Sequence, residues 1–389
     1  MSPKVLVIGA GPAGIASAYY LQKAGISYEV VDRAEQIAST WNSLYPSLKL
    51  NTSRFFSHMP EKRFPLSYGL FPTGKQYHRY LCEYVKEHNF NIKLGVTIHS
   101  ITPERNGWRV VGDDRDAWYP AVISATGRYG KPYTPYIEGM ETFNGRILHA
   151  HQYRNPDDFK DRRVMVVGNG PSGVDIATEL GRFRRNPHHP IWFGQRTGVV
   201  LRPRYPYGLP KHVWMMIGEK LPKKWGDKLI DKVNGAKFEN LDRYGIKTPK
   251  TEEESSAAGG TRGYELIDVV KKGWVKPTDA PVKFNPDSVE LQDGTTLALD
   301  DVILCTGYHP VMADYFQELV ELDNQGWALR VDGAYDRQDT GKRQVQGYAG
   351  LYLVGVFYTG KGAMYNFNVE AEQAVREIQD HLATFHPSN

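Results

Sequence analysis

The 389-residue chain is 41% hydrophobic and 24% charged, which is ordinary for a globular protein and enough apolar material for two or three cores. Its net charge of +4, without a long basic run, gives no support to nucleic acid or a membrane as partner. The two cysteines, Cys82 and Cys305, are far apart with no CxxC spacing, which excludes a dithiol redox centre and a disulfide scaffold.

KVLVIGA opens the chain as a buried parallel strand, short, β-branched and stopped by Gly9. It begins so close to Met1 that no leader is expected, and no run of 18 apolar residues follows. A cytoplasmic protein is the expectation. PAGIASAYYLQKAG reads as a helix and SYEVVDR as the next strand, a βαβ unit that implies a parallel sheet covered by helices. The pattern returns in RRVMVVGNG, PSGVDIATELGRF and HPIWFGQRTG. Two further strands, AVISATG and DVILCTG, each follow one of these units and end in Thr-Gly. An Asp293-Gly294 turn precedes the second of them. Residues 205–281 read as a partly helical insertion, with TEEESSAAGG as a loop within it. A long helix after GLYLVGVFYTGKG closes the chain. The fold class is α/β, two Rossmann-like dinucleotide-binding domains with the second inserted in the first. We expect residues 1–147 and 303–389 to bind FAD and residues 148–302 to bind NADPH.

GAGPAG and GNGPSG carry the chemistry. In the first, Gly9 permits the tight turn, Gly11 lets the backbone approach a pyrophosphate, and Gly14 allows close helix–strand packing. Pro12 and Ala13 open the helix, whose free N–H groups and dipole favour a phosphate. Asp32, before Arg33, ends the next strand, where a carboxylate accepts both ribose hydroxyls of an adenosine. The second loop repeats this with Gly168, Gly170, Pro171, Ser172 and Gly173, but its strand exit holds Gln195 and Arg196. A carboxylate there would repel a 2′-phosphate, whereas a guanidinium grips it with parallel hydrogen bonds. Arg202 and Arg204 are candidates for the same clamp. The first loop therefore suits FAD, the second NADPH, and the pair implies hydride transfer from nicotinamide to flavin.

FNGRILHAHQY, just before the second loop, fits FxGxxxHxxxY with Phe143, Gly145, His149 and Tyr153. With GAGPAG and GNGPSG in that order, the chain resembles the flavin-containing monooxygenase family. Where related Baeyer–Villiger monooxygenases carry Trp-Pro, this chain has Tyr153-Arg154. KLNTSRFF, FPTGKQYHRYL and YGIKTP look like the plant YUCCA-type branch, which decarboxylates an indole keto acid. The resemblance implies that NADPH reduces FAD, NADP+ stays bound, and oxygen forms a C4a-hydroperoxyflavin that oxygenates a small organic substrate. Amines, sulfides or an electron-rich ring such as indole fit that oxidant; keto-acid decarboxylation is the closest rival.

The resemblance places Asn51 at the flavin, as catalytic hydrogen-bond donor. Further expected FAD neighbours are Trp41, Thr126, Gly127 and Gly362, the last at the start of the terminal helix. Thr306, Gly307 and Tyr308 are expected beside NADPH, and His149 and Tyr153 are read as linker residues that set its position. No metal-ligand spacing and no GxSxG elbow occur, so neither a metal site nor acyl transfer is expected. The other classes are a flavin NAD(P)H oxidase or reductase, and a nucleotide-sensing protein without turnover.

Overall fold

The computed structural model describes residues 5–235, 241–251, 260–316, 319–322, 328–329, 341–356 and 361–384. The chain divides into two compact units. The first comprises residues 1–42, 52–131 and 308–389, and the second residues 43–51 and 132–307.

In the first unit Val5–Ile8 lies at the centre of a five-stranded parallel sheet, flanked by Tyr28–Val31 and Val122–Ser124. Ile92–Lys93 and Leu351–Leu353 form the edges. Val5 to Ile8 are buried on both faces, the environment that an unbroken β-branched run predicts. The helix Pro12–Lys23 starts on a proline, where no N–H partner is needed. Helix Gly74–His88 is fixed by a Thr73–Gln76 capping box and buries Tyr77, Tyr80, Leu81 and Tyr84 as one stripe. A meander of Ile98–Glu104, Gly107–Gly112 and Arg115–Tyr119 adds its own small sheet.

The terminal helix, Ala363–Thr384, presents a stripe of Asn366, Glu370, Ala371, Ala374, Val375 and Ile378 to the interior. Glu370 is its anchor. Its carboxylate accepts from the backbone N–H groups of Gly355 (2.7 Å) and Val356 (3.2 Å) and pairs with the buried Arg343.

The second unit repeats the plan. Its parallel sheet runs Val275–Asp279, Ile191–Gln195, Val164–Val167, Asp301–Leu304, Arg146–His149. An antiparallel meander, Pro281–Asn285, Ser288–Leu291 and Thr296–Ala298, lies beside it, with the Asp293-Gly294 turn in the expected place. The strands ending in Thr-Gly pair with the loop strands in both units.

Besides residues 43–51, which fall in the second unit, the boundaries differ from the sequence expectation in three respects. The chain enters the second unit at residue 132 rather than 148, because Arg146–His149 pairs with Asp301–Leu304 and Gly139 packs onto Phe284. It leaves at 307 rather than 302. The insertion is also shorter than residues 205–281. Helices Lys211–Glu219 and Lys223–Asn234 belong to it, but helix Glu265–Lys271 and strand Val275–Asp279 are a regular αβ step of the parallel sheet. Most of TEEESSAAGG, residues 252–259, lies outside the described residues. Among the described residues no helix is long and apolar enough to cross a membrane.

Candidate functional site

The two glycine loops are near superimposable in their internal geometry. Gly11 and Gly170 each cap a helix in extended conformation, at φ −79°, ψ −176° and φ −78°, ψ 179°. A Cβ on Gly14 would stand 1.8 Å from the Gly9 carbonyl oxygen, and one on Gly173 1.9 Å from that of Gly168. No side chain fits at either helix start. A Cβ on Gly9 would strike Ala125 O at 2.5 Å, and one on Gly168 would strike Cys305 O at 2.4 Å, so each loop is seated on the end of its Thr-Gly strand. Beyond Gly11 nothing lies within 4 Å of a Cβ, which leaves room for a pyrophosphate against the first helix. Space is equally open beside Gly127 and Gly307. This is the shape that a dinucleotide requires twice over.

The exits of the second strands differ. Asp32 accepts from Ala10 N (2.6 Å) through one carboxylate oxygen and from Ala34 N (2.8 Å) through the other. Each oxygen keeps a lone pair for a ribose hydroxyl. Arg33 points away and donates to Gly130 O at 2.9 Å. In the second unit Gln195 takes the place of Asp32 but is fully buried. Its amide donates to Gly245 O (3.0 Å) and accepts from Lys247 N (3.1 Å). The YGIKTP segment therefore lies along the strand exit, so close that a Cβ on Gly198 would meet Pro249 N at 1.9 Å. Lys247 is paired with Asp279. Asn169, the counterpart of Ala10, donates to Thr197 Oγ1 at 2.8 Å and to Gly198 O.

Arg196 follows Gln195 on the surface, and no hydrogen bond or ion pair of its guanidinium occurs among the described residues. Of the two other arginines expected in this clamp, Arg204 donates to Leu50 O at 3.5 Å. Arg202 ends a short strand paired with Gly260–Arg262. Arg204 is thus engaged in holding the backbone of residues 43–51.

The Thr-Gly ends are braced by partners that sequence reasoning missed. Tyr315 OH lies 2.6 Å from Ser124 Oγ and 3.1 Å from Thr126 Oγ1. Thr306 donates to Tyr133 O. His149 Nε2 donates to Gly307 O at 3.0 Å, while Nδ1 accepts from His151 N at 3.1 Å, which fixes one neutral tautomer. Burial lowers its pKa, against the pull of the Gly307 hydrogen bond. These bonds lie within the second unit. Tyr153 is 1% exposed, stacked near Phe159 in the second unit's core. His149 therefore ties down the strand end at Gly307, and Tyr153 packs in the core of the same unit. Tyr308 falls in the first unit, its ring 5.4 Å from that of Tyr129.

Trp41 sits in a single turn, Ser39–Asn42, with its ring edge-on to the buried Tyr77 at 4.6 Å. Asn51 is exposed and forms no hydrogen bond among the described residues, so its amide is not committed to the loop backbone. Gly362 precedes the terminal helix and packs on Thr52, where a Cβ would approach to 2.1 Å.

The partly buried acids of the second loop helix, Pro171–Arg184, were also missed. Asp175 accepts from Tyr45 OH at 2.8 Å, and burial raises its pKa to about 6. Glu179 stands one turn on and is also raised by burial. The available signal was an acid pair at i, i+4 within a helix that must be covered by the sheet and its neighbours.

A family model described as pyridine nucleotide-disulphide oxidoreductase matches residues 6–186. The two cysteines are free, Cys82 in the first unit and Cys305 buried in the second, so the match concerns the nucleotide frame and not a disulfide. The Arabidopsis thaliana protein described as probable indole-3-pyruvate monooxygenase YUCCA7 is 29% identical over 377 residues, 92% of this chain and 83% of its own. The flavin-containing monooxygenase from Stenotrophomonas maltophilia shares the fold at a TM-score of 0.73, with 23% identity over 98% of this chain and 99% of its own. The chain is thus similar to flavin monooxygenases in sequence and in fold. An oxidized steroid monooxygenase bound to NADP likewise has this fold, at a TM-score of 0.70, 16% identity and coverage of 98% and 86%. The two glycine cradles of this chain have the shape that fits two adenine dinucleotides.

Proposed function

We propose that this chain is a flavin monooxygenase that spends NADPH and molecular oxygen to place one oxygen atom on a small organic molecule with a nucleophilic nitrogen or sulfur, or an electron-rich ring such as indole. The observation that carries the cofactor assignment is the contrast between the two strand exits, an accepting carboxylate at Asp32 and an uncommitted guanidinium at Arg196. The first unit holds FAD, with Gly9, Gly11, Pro12, Ala13 and Gly14 around its pyrophosphate and Asp32 on its ribose. Trp41, Thr126, Gly127 and Gly362 border the flavin. The second unit holds NADPH, with Gly168, Gly170, Pro171, Ser172 and Gly173 on the pyrophosphate and Arg196 on the 2′-phosphate. Thr306 and Gly307 border its nicotinamide half, braced by His149 and Tyr153.

Reduced flavin supplies the two electrons that activate oxygen. The task of the chain is to keep that chemistry dry and fixed by hydrogen bonds until substrate arrives. Asn51 suits it because a carboxamide donates without titrating, and its amide is uncommitted. The need for NADPH supports a cytoplasmic setting.

A screen of NADPH-dependent oxygen uptake against amines, sulfides, indole and aryl 2-oxo acids tests this reading. Because the Arabidopsis relative is described as a probable indole-3-pyruvate monooxygenase, an indolyl 2-oxo acid is the first compound to include. The expected result is oxygenated product in near stoichiometry with NADPH for one class. Stoichiometric hydrogen peroxide with every class would leave an oxidase in its place.

A further inference from the structure

Residues 43–51 belong to the second unit although the chain on both sides of them belongs to the first. They are held by a graded series of contacts. Tyr45 is 6% exposed among Val174, Ala177 and Phe193 of the second core. Its hydroxyl donates to Asp175 Oδ2 at 2.8 Å, and the Ser172 side chain is a further polar neighbour that opposes the effect of burial on it. Ser172 is the second residue of the loop helix and part of the proposed NADPH cradle. One turn further, Ser47 faces Glu179 with both its hydroxyl and its backbone N–H. Leu48 packs on the core, and Leu50 is buried with its carbonyl toward Arg204. Asn51 comes next.

We propose that Tyr45 and Asp175, with Ser47 and Glu179 behind them, are positioning residues that clamp residues 43–51 to the second loop helix, so that the nucleotide-bearing unit presents Asn51 and nucleotide on the loop tightens that hold through Ser172. The inference rests on the reading of Asn51 as the oxygen-site donor and adds which groups control it. Buried polar contacts of this kind are strong only when all members are satisfied. Here the set is poised, because Glu179 Oε2 and the Tyr153 hydroxyl are buried without a well-formed hydrogen bond among the described residues.

The clamp is also sensitive to acid. Burial raises the Asp175 carboxyl to about 6; the Tyr45 hydrogen bond and the Arg204 charge oppose this, while Glu265 and Glu179 add to it. Cys305, the remaining titratable neighbour, is itself pushed far up by burial and stays a thiol. As pH falls through about 6, Asp175 takes a proton and its bond from Tyr45 becomes a neutral one. The larger cost of burying the charge is relieved at the same time, so the closed clamp is favoured below about 6 and loses that contribution as pH rises.

Hydrogen–deuterium exchange on the FAD-loaded enzyme, with and without NADP+, reads the clamp directly. In the wild type, the peptide covering residues 43–51 should be protected at pH 7.5, further slowed by NADP+, and should gain protection below about pH 6 after correction for intrinsic rates. Tyr45→Phe should raise exchange of this peptide by ~10-fold while Val164–Val167 and Ile191–Gln195 stay protected. Ser47→Ala, which leaves the core intact, should show a smaller rise. Asp175→Asn should abolish the pH step. In turnover, Tyr45→Phe should lower product formed per NADPH by ~3-fold or more and raise peroxide release, with the KM for NADPH within ~2-fold of wild type.

Exchange of the peptide unchanged in both Tyr45→Phe and Ser47→Ala, or indifferent to NADP+, would overturn the proposal. The two readings separate cleanly. If Asn51→Ala keeps wild-type coupling while the exchange pattern responds as described, the clamp stands and the role of Asn51 falls.

Discussion

The two dinucleotide frames are copies in backbone and opposites in chemistry. Both seat a glycine loop on a Thr-Gly strand end, and both start a helix so tightly that a single methyl group is excluded. Yet the residue after the second strand is an accepting carboxylate in one and a buried amide followed by a surface guanidinium in the other. Binding a dinucleotide and choosing which one are therefore separable properties. The backbone sets the first, and two side chains at a strand exit set the second. The second frame carries two further additions, the Gly245–Pro249 wall along the exit and the 43–51 clamp on its helix.

The sharpest way to break the comparison is to fill each helix start. Gly14→Ala should yield protein without bound flavin, read as the ratio of visible to ultraviolet absorbance. Gly173→Ala should remain yellow but lose NADPH-dependent bleaching. A loss of flavin from Gly173→Ala would mean that the frames are not independent.

Next in size are the exits. Asp32→Ala should weaken FAD by ~10- to 100-fold in a fluorescence titration, the worth of ~1.5–3 kcal/mol for hydrogen bonds to a charged group. Arg196→Ala should raise the KM for NADPH by a similar factor and leave that for NADH within ~2-fold. Equal effects on the two nucleotides would remove the 2′-phosphate assignment.

A smaller effect distinguishes the units by acid stability. Asp301 starts the Thr-Gly strand of the second unit, where the first has Ala121 in the matching place. Burial alone would raise its carboxyl, but hydrogen bonds and charge from Arg146 and Arg162 prevail and lower it. A lowered folded-state pKa contributes stability above the ordinary carboxylate range, and that contribution is lost as pH falls through the folded value. Asp301→Asn should cost ~1–3 kcal/mol at pH 7 by denaturant unfolding, and that cost should shrink as pH falls below the ordinary carboxylate range. A cost independent of pH would point to packing instead of charge.

Much of this was legible in the sequence, for a physical reason. Close-packed glycines and buried β-branched strands are local requirements, so the spacing of Gly9, Gly11 and Gly14 and the Asp32 strand end announce themselves. The two-module plan and its α/β class followed from the repetition. Boundaries were less legible, because Arg146–His149 and Val275–Asp279 join the second sheet as edges, through pairing with strands distant in sequence. The brace at Tyr315, the Glu370 anchor and the Tyr45–Asp175 bond were invisible, since a lone tyrosine or acid carries no sign of a partner 15 to 191 residues away. Arg204, nominated for a phosphate by charge type alone, also reaches the Leu50 carbonyl, a contact that charge type does not foretell.

The chain passes between its two units at residues 42/43, 51/52, 131/132 and 307/308. Anyone wishing to graft the nucleotide half of one relative onto the flavin half of another cannot cut a single cassette. A graft of residues 132–307 alone would leave Tyr45 of the host facing a foreign helix. Hybrids that carry the nine-residue piece along with the larger one are the ones expected to work.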